Sequence, residues 1–140
     1  MSKLAVVYWS GTGNTEAMAN AVLEGIKAAG AEAELFSTGE FDASMLSSYD
    51  ALAFGCPAMG AEELEDFEFE PMFSSCKPNL GGKKIALFGS YGWGDGEWMR
   101  KWEDDCRAAG AVLSAKGLIC SGAPEGESLE ACKALGKSLV

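Results

Sequence analysis

Short apolar segments alternate with longer amphipathic ones along the chain, and this alternation predicts strands and helices in turn. Three segments are continuously apolar and of strand length: Leu4 to Trp9, Ala51 to Cys56 and Ile85 to Gly89. Such segments are typical of strands that are buried on both faces of a parallel sheet. Glu32 to Phe36 alternates charged and apolar residues instead. That pattern predicts a half-covered strand at an edge of the sheet.

The helical segments are marked by apolar residues three or four positions apart and by glycines at their ends. Asn14 to Ala29 is one such segment, and Gly30 is predicted to end it. A second helix is predicted from about Gly96 and stops at Gly110, and a third has apolar positions between Leu129 and Leu139.

Three further segments are less regular. Ser37 to Tyr49 is expected to be a loop with at most one helical turn. Glu62 to Phe73 predicts a helix whose start stays open, because Pro71 could open a first turn or kink a longer helix. Val112 to Cys120 is predicted to be the last strand, bent or interrupted near residues 116–117.

Five strands alternating with helices predict an α/β doubly wound fold, a parallel sheet with helices on both faces. At 140 residues the chain is expected to form a single domain over residues 1–140. The pattern does not give the strand order. In such folds ligands bind outside the carboxyl ends of the strands, where the strand order reverses. If the first strand is central and the chain reverses direction after the second, the strand order reverses between strands one and three, and the loops after strands one, three and four share one crevice.

The first of these loops is rich in glycine, hydroxyl and amide groups. It consists of Ser10, Gly11, Thr12, Gly13, Asn14 and Thr15. Backbone N–H groups and hydroxyls at a helix N-terminus can converge on a phosphate. The loop has neither the lysine of a nucleoside triphosphatase loop nor the third glycine of a dinucleotide-binding turn, so a phosphomonoester is the better fit. An ordinary strand-to-helix turn with Ser/Thr capping is the alternative.

The other two loops combine glycine with large flat or flexible side chains. They are Pro57, Ala58, Met59, Gly60, Ala61 and Glu62 after the third strand, and Ser90, Tyr91, Gly92, Trp93 and Gly94 after the fourth. Together with the first loop they would suit a planar ligand with a phosphate tail, its ring between Met59 and Trp93. Gly60 can adopt backbone angles closed to other residues. Taken alone, the third of these loops could equally be a plain turn.

Composition narrows the chemistry and the partners. The chain has no histidine, and its five cysteines are irregularly spaced, which favours reduced thiols and a cytoplasmic protein without a metal site. The net charge of -10 argues against nucleic acid and membrane surfaces and favours a basic protein partner. Cys56 is interpreted as a core residue, because Glu62 stands where a phosphatase C-x5-R loop needs arginine. An acidic rim is expected around the ligand; it comprises Glu62, Glu63, Glu65, Asp66, Glu68 and Glu70 after the second loop, and Asp95 and Glu97 after the third.

Three motifs resemble the short-chain flavodoxins of anaerobic bacteria, and the resemblance covers essentially the whole chain. They are Y-W-S-G-T-G-N-T-E, C-P-A-M-G and F-G-S-Y-G-W-G, in the order and spacing of that family. The resemblance implies FMN as cofactor and strand order 2-1-3-4-5. It also implies a monomeric, low-potential one-electron carrier between redox enzymes that uses the flavin semiquinone/hydroquinone couple. A small FMN-dependent quinone or nitro reductase of the same fold is the alternative.

The resemblance also implies roles for particular residues. Trp93 would stack on the outer face of the flavin, Met59 would lie on its inner face, and the carboxylate of Glu62 would meet the flavin N3–H. Ala61 departs from the family, in which a short polar residue is usual. The phosphate would contact Ser10, Thr12, Asn14 and Thr15.

Overall fold

A parallel sheet forms the centre of the fold. The structure is a computed structural model and describes residues 3–60, 63–92 and 94–140. Its strands are β1 (Lys3–Tyr8), β2 (Glu32–Ser37), β3 (Ala51–Gly55), β4 (Lys84–Tyr91), β5 (Val112–Leu113) and β6 (Leu118–Ser121). Its α-helices are α1 (Asn14–Ala28), α2 (Phe69–Cys76), α3 (Glu97–Ala108) and α4 (Glu127–Ser138). No helix in the described ranges is long and apolar enough to cross a membrane.

The strands lie in the order β2-β1-β3-β4-β5, and β6 also pairs with β4. All of these pairings are parallel. The order 2-1-3-4-5 is therefore confirmed. The predicted last strand is two strands, β5 and β6, separated by residues 114–117. The backbone N–H of Gly117 leaves the ladder there and donates to the buried carboxylate of Glu103 at 2.8 Å.

Helices cover both faces of the sheet, as the pattern predicted. Successive side chains of β1 point to opposite faces, which is the period of a strand. Leu4 and Val6 pack in one apolar cluster with α1 and α4, whereas Ala5 and Val7 pack in a second cluster with α2 and α3. All four are completely buried, so β1 is covered on both sides.

The segment between β2 and β3 is more ordered than the sequence predicted. It contains two 3-10 helices, Thr38–Glu40 and Ala43–Ser48, so the expectation of at most one helical turn was wrong. The second begins where the carboxylate of Asp42 accepts the N–H of Ser44 at 2.9 Å. Such local caps stabilise short helices that have no apolar periodicity to reveal them.

Three element boundaries differ from the pattern in ways that affect the candidate site. Helix α2 begins at Phe69, so Pro71 lies in its first turn and does not kink it. Ser90 and Tyr91 belong to β4, not to the loop, because β6 pairs with them. Trp9 lies beyond the end of β1. The residues at these ends of the strands therefore reach the carboxyl edge of the sheet.

Candidate functional site

A crevice lies at the carboxyl edge of the sheet, between the ends of β1, β3 and β4. The strand order reverses between β1 and β3, which is where doubly wound proteins bind ligands. The cavity measures about 260 Å³. Its described lining consists of Trp9, Gly11, Thr12, Asn14, Thr15, Pro57, Ala58, Met59, Ser90, Tyr91, Gly92 and Gly122.

Each of the three predicted loops contributes to this wall. Among the candidate residues that the structure describes, four lie outside it: Ser10, Gly13, Gly60 and Gly94. Three candidates, Ala61, Glu62 and Trp93, lie outside the described residues. The convergence of the loops is thus seen in the structure, although the ring contacts expected of Glu62 and Trp93 lie beyond the described ranges.

The first loop is closed by the hydroxyl of Ser10. Its Oγ accepts the backbone N–H of Gly13 at 3.1 Å and that of Glu16 at 3.2 Å. Gly13 has φ 97°, a left-handed conformation that favours glycine, and helix α1 starts directly after it. Ser10 thus caps the helix from upstream. Its hydroxyl proton is still available to donate to an anion.

Thr15 joins the first loop to the end of β4. It is 1% exposed, and its Oγ1 lies 2.9 Å from Oγ of Ser90, which is also buried. Either hydroxyl can donate in this pair. Because a buried hydroxyl without a partner costs free energy, the pair fixes both side chains in the cavity wall.

The second loop turns back on itself in a tight hairpin. Met59 and Glu63 exchange two backbone hydrogen bonds, at 2.8 and 3.0 Å. Gly60 lies in the turn with φ 50°, so the positive backbone angle expected there is present. Ala58 N–H donates to the carbonyl of Ser90 at 3.0 Å, which fixes the hairpin to β4.

Cys56, at the base of this hairpin, is a structural residue. Its carbonyl accepts the indole N–H of Trp98 at 3.2 Å, and its Sγ accepts the backbone N–H of Glu65 at 3.3 Å. Burial raises the pKa of the Cys56 thiol to about 12. A thiol with that pKa is protonated at neutral pH, which agrees with its interpretation as core.

Glu65 was expected on the acidic rim, but the structure contradicts this. The residue is 6% exposed, and its carboxylate accepts the backbone N–H groups of Phe67, Glu68 and Phe69 at 2.8 to 2.9 Å. Burial alone would raise the pKa of Glu65, but these three donors hold it below its ordinary value. Periodicity could not reveal this role, because a capping carboxylate looks like any other acid in an acidic run. The other described residues of the expected rim are exposed, as predicted: Glu63, Asp66, Glu68, Glu70, Asp95 and Glu97.

Two wall residues were missed by the sequence analysis. The apolar pattern predicts Trp9 inside the first strand, but the residue lies beyond it and lines the cavity. Its Nε1 donates a long hydrogen bond of 3.5 Å to the carboxylate of Glu68. Its position directly before the glycine-rich loop was the available signal. Gly122 follows β6 and donates its N–H to the carbonyl of Tyr91 at 2.9 Å. No sequence pattern indicated that contact, because it depends on how β6 pairs.

A larger cavity, of about 620 Å³, lies behind the second loop, between residues 63–70 and helix α3. Its wall is mostly acidic, with Glu63, Asp66 and Asp105 beside the single cation Lys101 among its described residues. The smaller crevice is the better candidate site, because it lies at the switch point and combines neutral donors with flat side chains. Within the described ranges, no group of three acidic or thiol side chains could hold a metal ion.

The donor set of the crevice fits FMN. Among its described lining residues none carries a charge at neutral pH, and the polar groups of the first loop are hydroxyls, an amide and backbone N–H groups. Such groups can bind a phosphate at the start of helix α1. Trp9, Met59 and Tyr91 provide flat or polarisable surfaces for a ring. The fold and crevice define a doubly wound α/β protein that holds a ligand at the carboxyl edge of its sheet.

Comparison with known proteins identifies the family. The family model described as Flavodoxin matches residues 6–136. A flavodoxin from Megasphaera elsdenii is 46% identical over 136 residues, 95% of each chain. One from Clostridium beijerinckii is 42% identical over 137 residues, 98% of this chain and 99% of the relative. The solution structure of two-electron reduced Megasphaera elsdenii flavodoxin superposes with a TM-score of 0.87, at 45% identity and 97% coverage of both chains.

The chain belongs to the flavodoxin family. Flavodoxins bind FMN and carry electrons between redox proteins, so this chain is an FMN-binding electron carrier and not a stand-alone enzyme. The short-chain type implied by the motifs is confirmed by the near-complete coverage of both relatives. The quinone or nitro reductase alternative is not favoured.

Proposed function

We propose that the chain is a low-potential carrier of single electrons and that FMN lies in the crevice at the switch point. The observation that carries this assignment is the uncharged described wall of the crevice within a chain of net charge -10. A cofactor phosphate held there is bound by neutral donors and not by cations. When bound, FMN supplies the electron-transfer chemistry, and the protein positions it and shields it from water.

We assign the phosphate to the first loop. Thr12 and Asn14 line the crevice with side chains that can donate, and Thr15 is fixed there by Ser90. Ser10 shapes the loop through its two accepted hydrogen bonds and offers its hydroxyl proton. The loop residues proposed to hold the phosphate are Ser10, Gly11, Thr12, Gly13, Asn14 and Thr15.

We assign the flavin ring to the other two loops. Met59 lines the crevice from the hairpin and Tyr91 from the end of β4. The family resemblance adds Trp93 as the outer stacking residue and Glu62 as the partner of the flavin N3–H. The remaining residues proposed to surround the ring are Pro57, Ala58, Gly60, Ala61, Ser90, Gly92 and Gly94.

We further propose that the electron partners are redox proteins with basic docking surfaces. Glu63, Asp66, Glu68 and Glu70 are exposed on the segment that follows the second loop and would attract such a partner. Glu63 pairs with Met59 and Glu68 contacts Trp9, which places this segment next to the crevice. Five cysteines without a disulfide in the structure support a cytoplasmic location, where thiols stay reduced. We also propose that the protein is a monomer and that residues 1–140 form a single domain.

The phosphate assignment is tested by cofactor titration of the flavin-free protein. FMN is expected to bind much more tightly than riboflavin, which lacks the phosphate. Thr12→Ala and Asn14→Ala are each expected to weaken FMN binding by about 1 to 3 kcal/mol, the usual loss when a polar partner is removed. Asn79→Ala, at an exposed residue outside the crevice, is the matched control. Equal affinities for FMN and riboflavin would contradict the assignment.

A further inference from the structure

Phe67 is an aromatic side chain that folding leaves in water. It is 87% exposed, compared with 53% for Val112, the next most exposed of the large apolar side chains in the described ranges. Isolated apolar residues are normal on surfaces, but phenylalanine is among the residue types most often fully buried. Aromatic residues, phenylalanine included, are also enriched at the cores of protein interfaces.

The exposure of Phe67 is fixed by the fold. The carboxylate of Glu65 accepts the N–H groups of Phe67, Glu68 and Phe69 at 2.8 to 2.9 Å. This turn sends Phe69 into the core, where it is fully buried, and leaves Phe67 outside. Because the backbone of Phe67 is held by a buried group, its ring would lose less conformational freedom on binding than one on a mobile loop.

The turn that carries Phe67 adjoins the crevice. The carboxylate of Glu68 accepts the indole N–H of Trp9 at 3.5 Å, and Trp9 lines the cavity. Met59, at the mouth of the same cavity, is 39% exposed. A partner that covers Phe67 would therefore lie beside the proposed cofactor edge, where electron transfer requires it.

The residues around Phe67 define the charge of that partner. Asp66 and Glu68 flank it and are both exposed, and no lysine or arginine occurs between Pro57 and Cys76. A membrane or a second copy of this acidic chain would be repelled at this surface. An apolar patch ringed by lysine or arginine would be complementary to it.

We infer that Phe67, framed by Asp66 and Glu68, is the apolar anchor by which this protein docks an electron-transfer partner whose cofactor edge is apolar and ringed by basic residues. The inference rests on the proposed electron-carrier function. It assigns two separate effects to this surface. The carboxylates attract the partner at long range, and salt screens that attraction. The Phe67 ring contributes only when the surfaces touch, and salt does not screen its contribution.

The test uses a basic c-type cytochrome as the probe, because its exposed haem edge is apolar and ringed by lysines. Isothermal calorimetry at low and at high salt measures its association with the parent protein, Phe67→Ser, Phe67→Tyr and Asp66→Asn. Val112→Ser is the matched control, since Val112 is exposed and apolar but pairs with Lys84 at the other end of β4. Stopped-flow mixing of the oxidised cytochrome with FMN-loaded proteins that have first been reduced anaerobically with dithionite gives the electron-transfer rate.

Phe67→Ser is expected to lower the association constant about 5- to 30-fold, the range of interface anchors, at both salt concentrations. Phe67→Tyr should restore most of the binding, Val112→Ser should match the parent, and the effect of Asp66→Asn should vanish at high salt. Unchanged binding by Phe67→Ser overturns the inference, as does absence of binding by the parent or a Phe67-dependent dimer in sedimentation. Binding that depends on Phe67 without FMN uptake or electron transfer supports the docking surface and refutes the proposed function instead.

Discussion

Replacing Glu65 is expected to destabilise the whole segment between the crevice and helix α2. One buried carboxylate accepts three consecutive backbone N–H groups there, while its own backbone N–H donates to Sγ of Cys56. Glu65→Ala removes the carboxylate and keeps the backbone contact. Glu65→Gln keeps an oxygen that can still accept from Glu68 and Phe69, but it removes the charge.

How much free energy of unfolding is lost depends on which of the three backbone N–H groups water can reach. Phe67 and Glu68 are exposed, so water can replace the carboxylate at their N–H groups. Phe69 is fully buried, and leaving its N–H unpaired costs about 1 to 3 kcal/mol. Phe69 is the first residue of helix α2, so this cost already contains the loss of the helix cap. The expected loss of free energy of unfolding is therefore about 1 to 3 kcal/mol for Glu65→Ala and about 1 kcal/mol or less for Glu65→Gln.

The same carboxylate predicts a dependence of stability on pH. Burial raises the pKa of Glu65, but the three N–H donors outweigh it, so the folded pKa lies below the ordinary value. A group with a depressed folded pKa stabilises the protein fully above its unfolded pKa, and the contribution is lost as pH falls through the folded pKa. The parent should therefore lose free energy of unfolding below about pH 4.3, and Glu65→Gln should lose less over the same range.

Urea denaturation followed by circular dichroism, at pH 7 and at steps down to pH 3, measures both effects on the flavin-free protein. Glu40→Ala is the control. Glu40 also caps a short helix, accepting the N–H of Ser37 at 2.9 Å, but it is exposed and should lose less. If Glu65→Ala unfolds at the same urea concentration as Glu40→Ala, or if Glu65→Gln keeps the full acid dependence of the parent, the argument from the buried N–H is refuted.

Three further substitutions and one chemical modification test other contacts. Thr15→Val leaves the Ser90 hydroxyl unpaired, so it is expected to weaken FMN binding and to lower the free energy of unfolding by about 1 to 3 kcal/mol each. Thr15→Ser keeps the hydroxyl and should keep FMN binding and stability near those of the parent. If the two variants lose the same amount, the hydroxyl pair is not what stabilises this wall. Gly89→Ala places a Cβ 2.1 Å from the carbonyl of Cys56 and should cost about 1 to 3 kcal/mol in urea denaturation, so an unchanged midpoint would refute the close packing. The Cys56 thiol, whose pKa burial raises to about 12, should resist a thiol reagent at pH 8 until the chain unfolds; rapid reaction of the native protein would show that it is accessible. Gly60→Thr puts a β-branched residue at φ 50° and should narrow the separation of the two flavin potentials in anaerobic titration; an unchanged separation would show that the backbone at Gly60 does not govern the potentials.

The sequence predicted the parts of the fold that depend on local pattern. Continuous apolar runs located β1, β3 and β4, and the alternation in Glu32 to Phe36 correctly placed β2 at an edge. The strand order came only from the family resemblance, because it depends on pairings between distant segments. The length of β4 was underestimated for the same reason, since Ser90 and Tyr91 become strand residues only by pairing with β6.

The candidate site was predicted less completely than the fold. Glycines and hydroxyls identified the three loops, because those residue types are needed wherever a backbone turns around an anion. The role of Trp9 was missed because it depends on a contact with Glu68, in a distant segment of the chain. The role of Glu65 was missed although its partners are local, because a capping carboxylate cannot be told from the other acids of an acidic run. Its charge alone predicted that Glu65 would be exposed, whereas the folded protein buries its carboxylate, which stabilises the turn before helix α2.

The interruption between β5 and β6 also bears on whether the protein aggregates. An exposed sheet edge can recruit a strand from another molecule, but only where it offers an unbroken row of free backbone groups. Here β5 has two residues and β6 four, and the Gly117 N–H between them is taken by Glu103. At the opposite edge, β2 carries Glu32 and Glu34 exposed to solvent. With one edge cut into short pieces and the other charged, neither offers a template for intermolecular β-pairing, so the chain should resist fibril formation at high concentration.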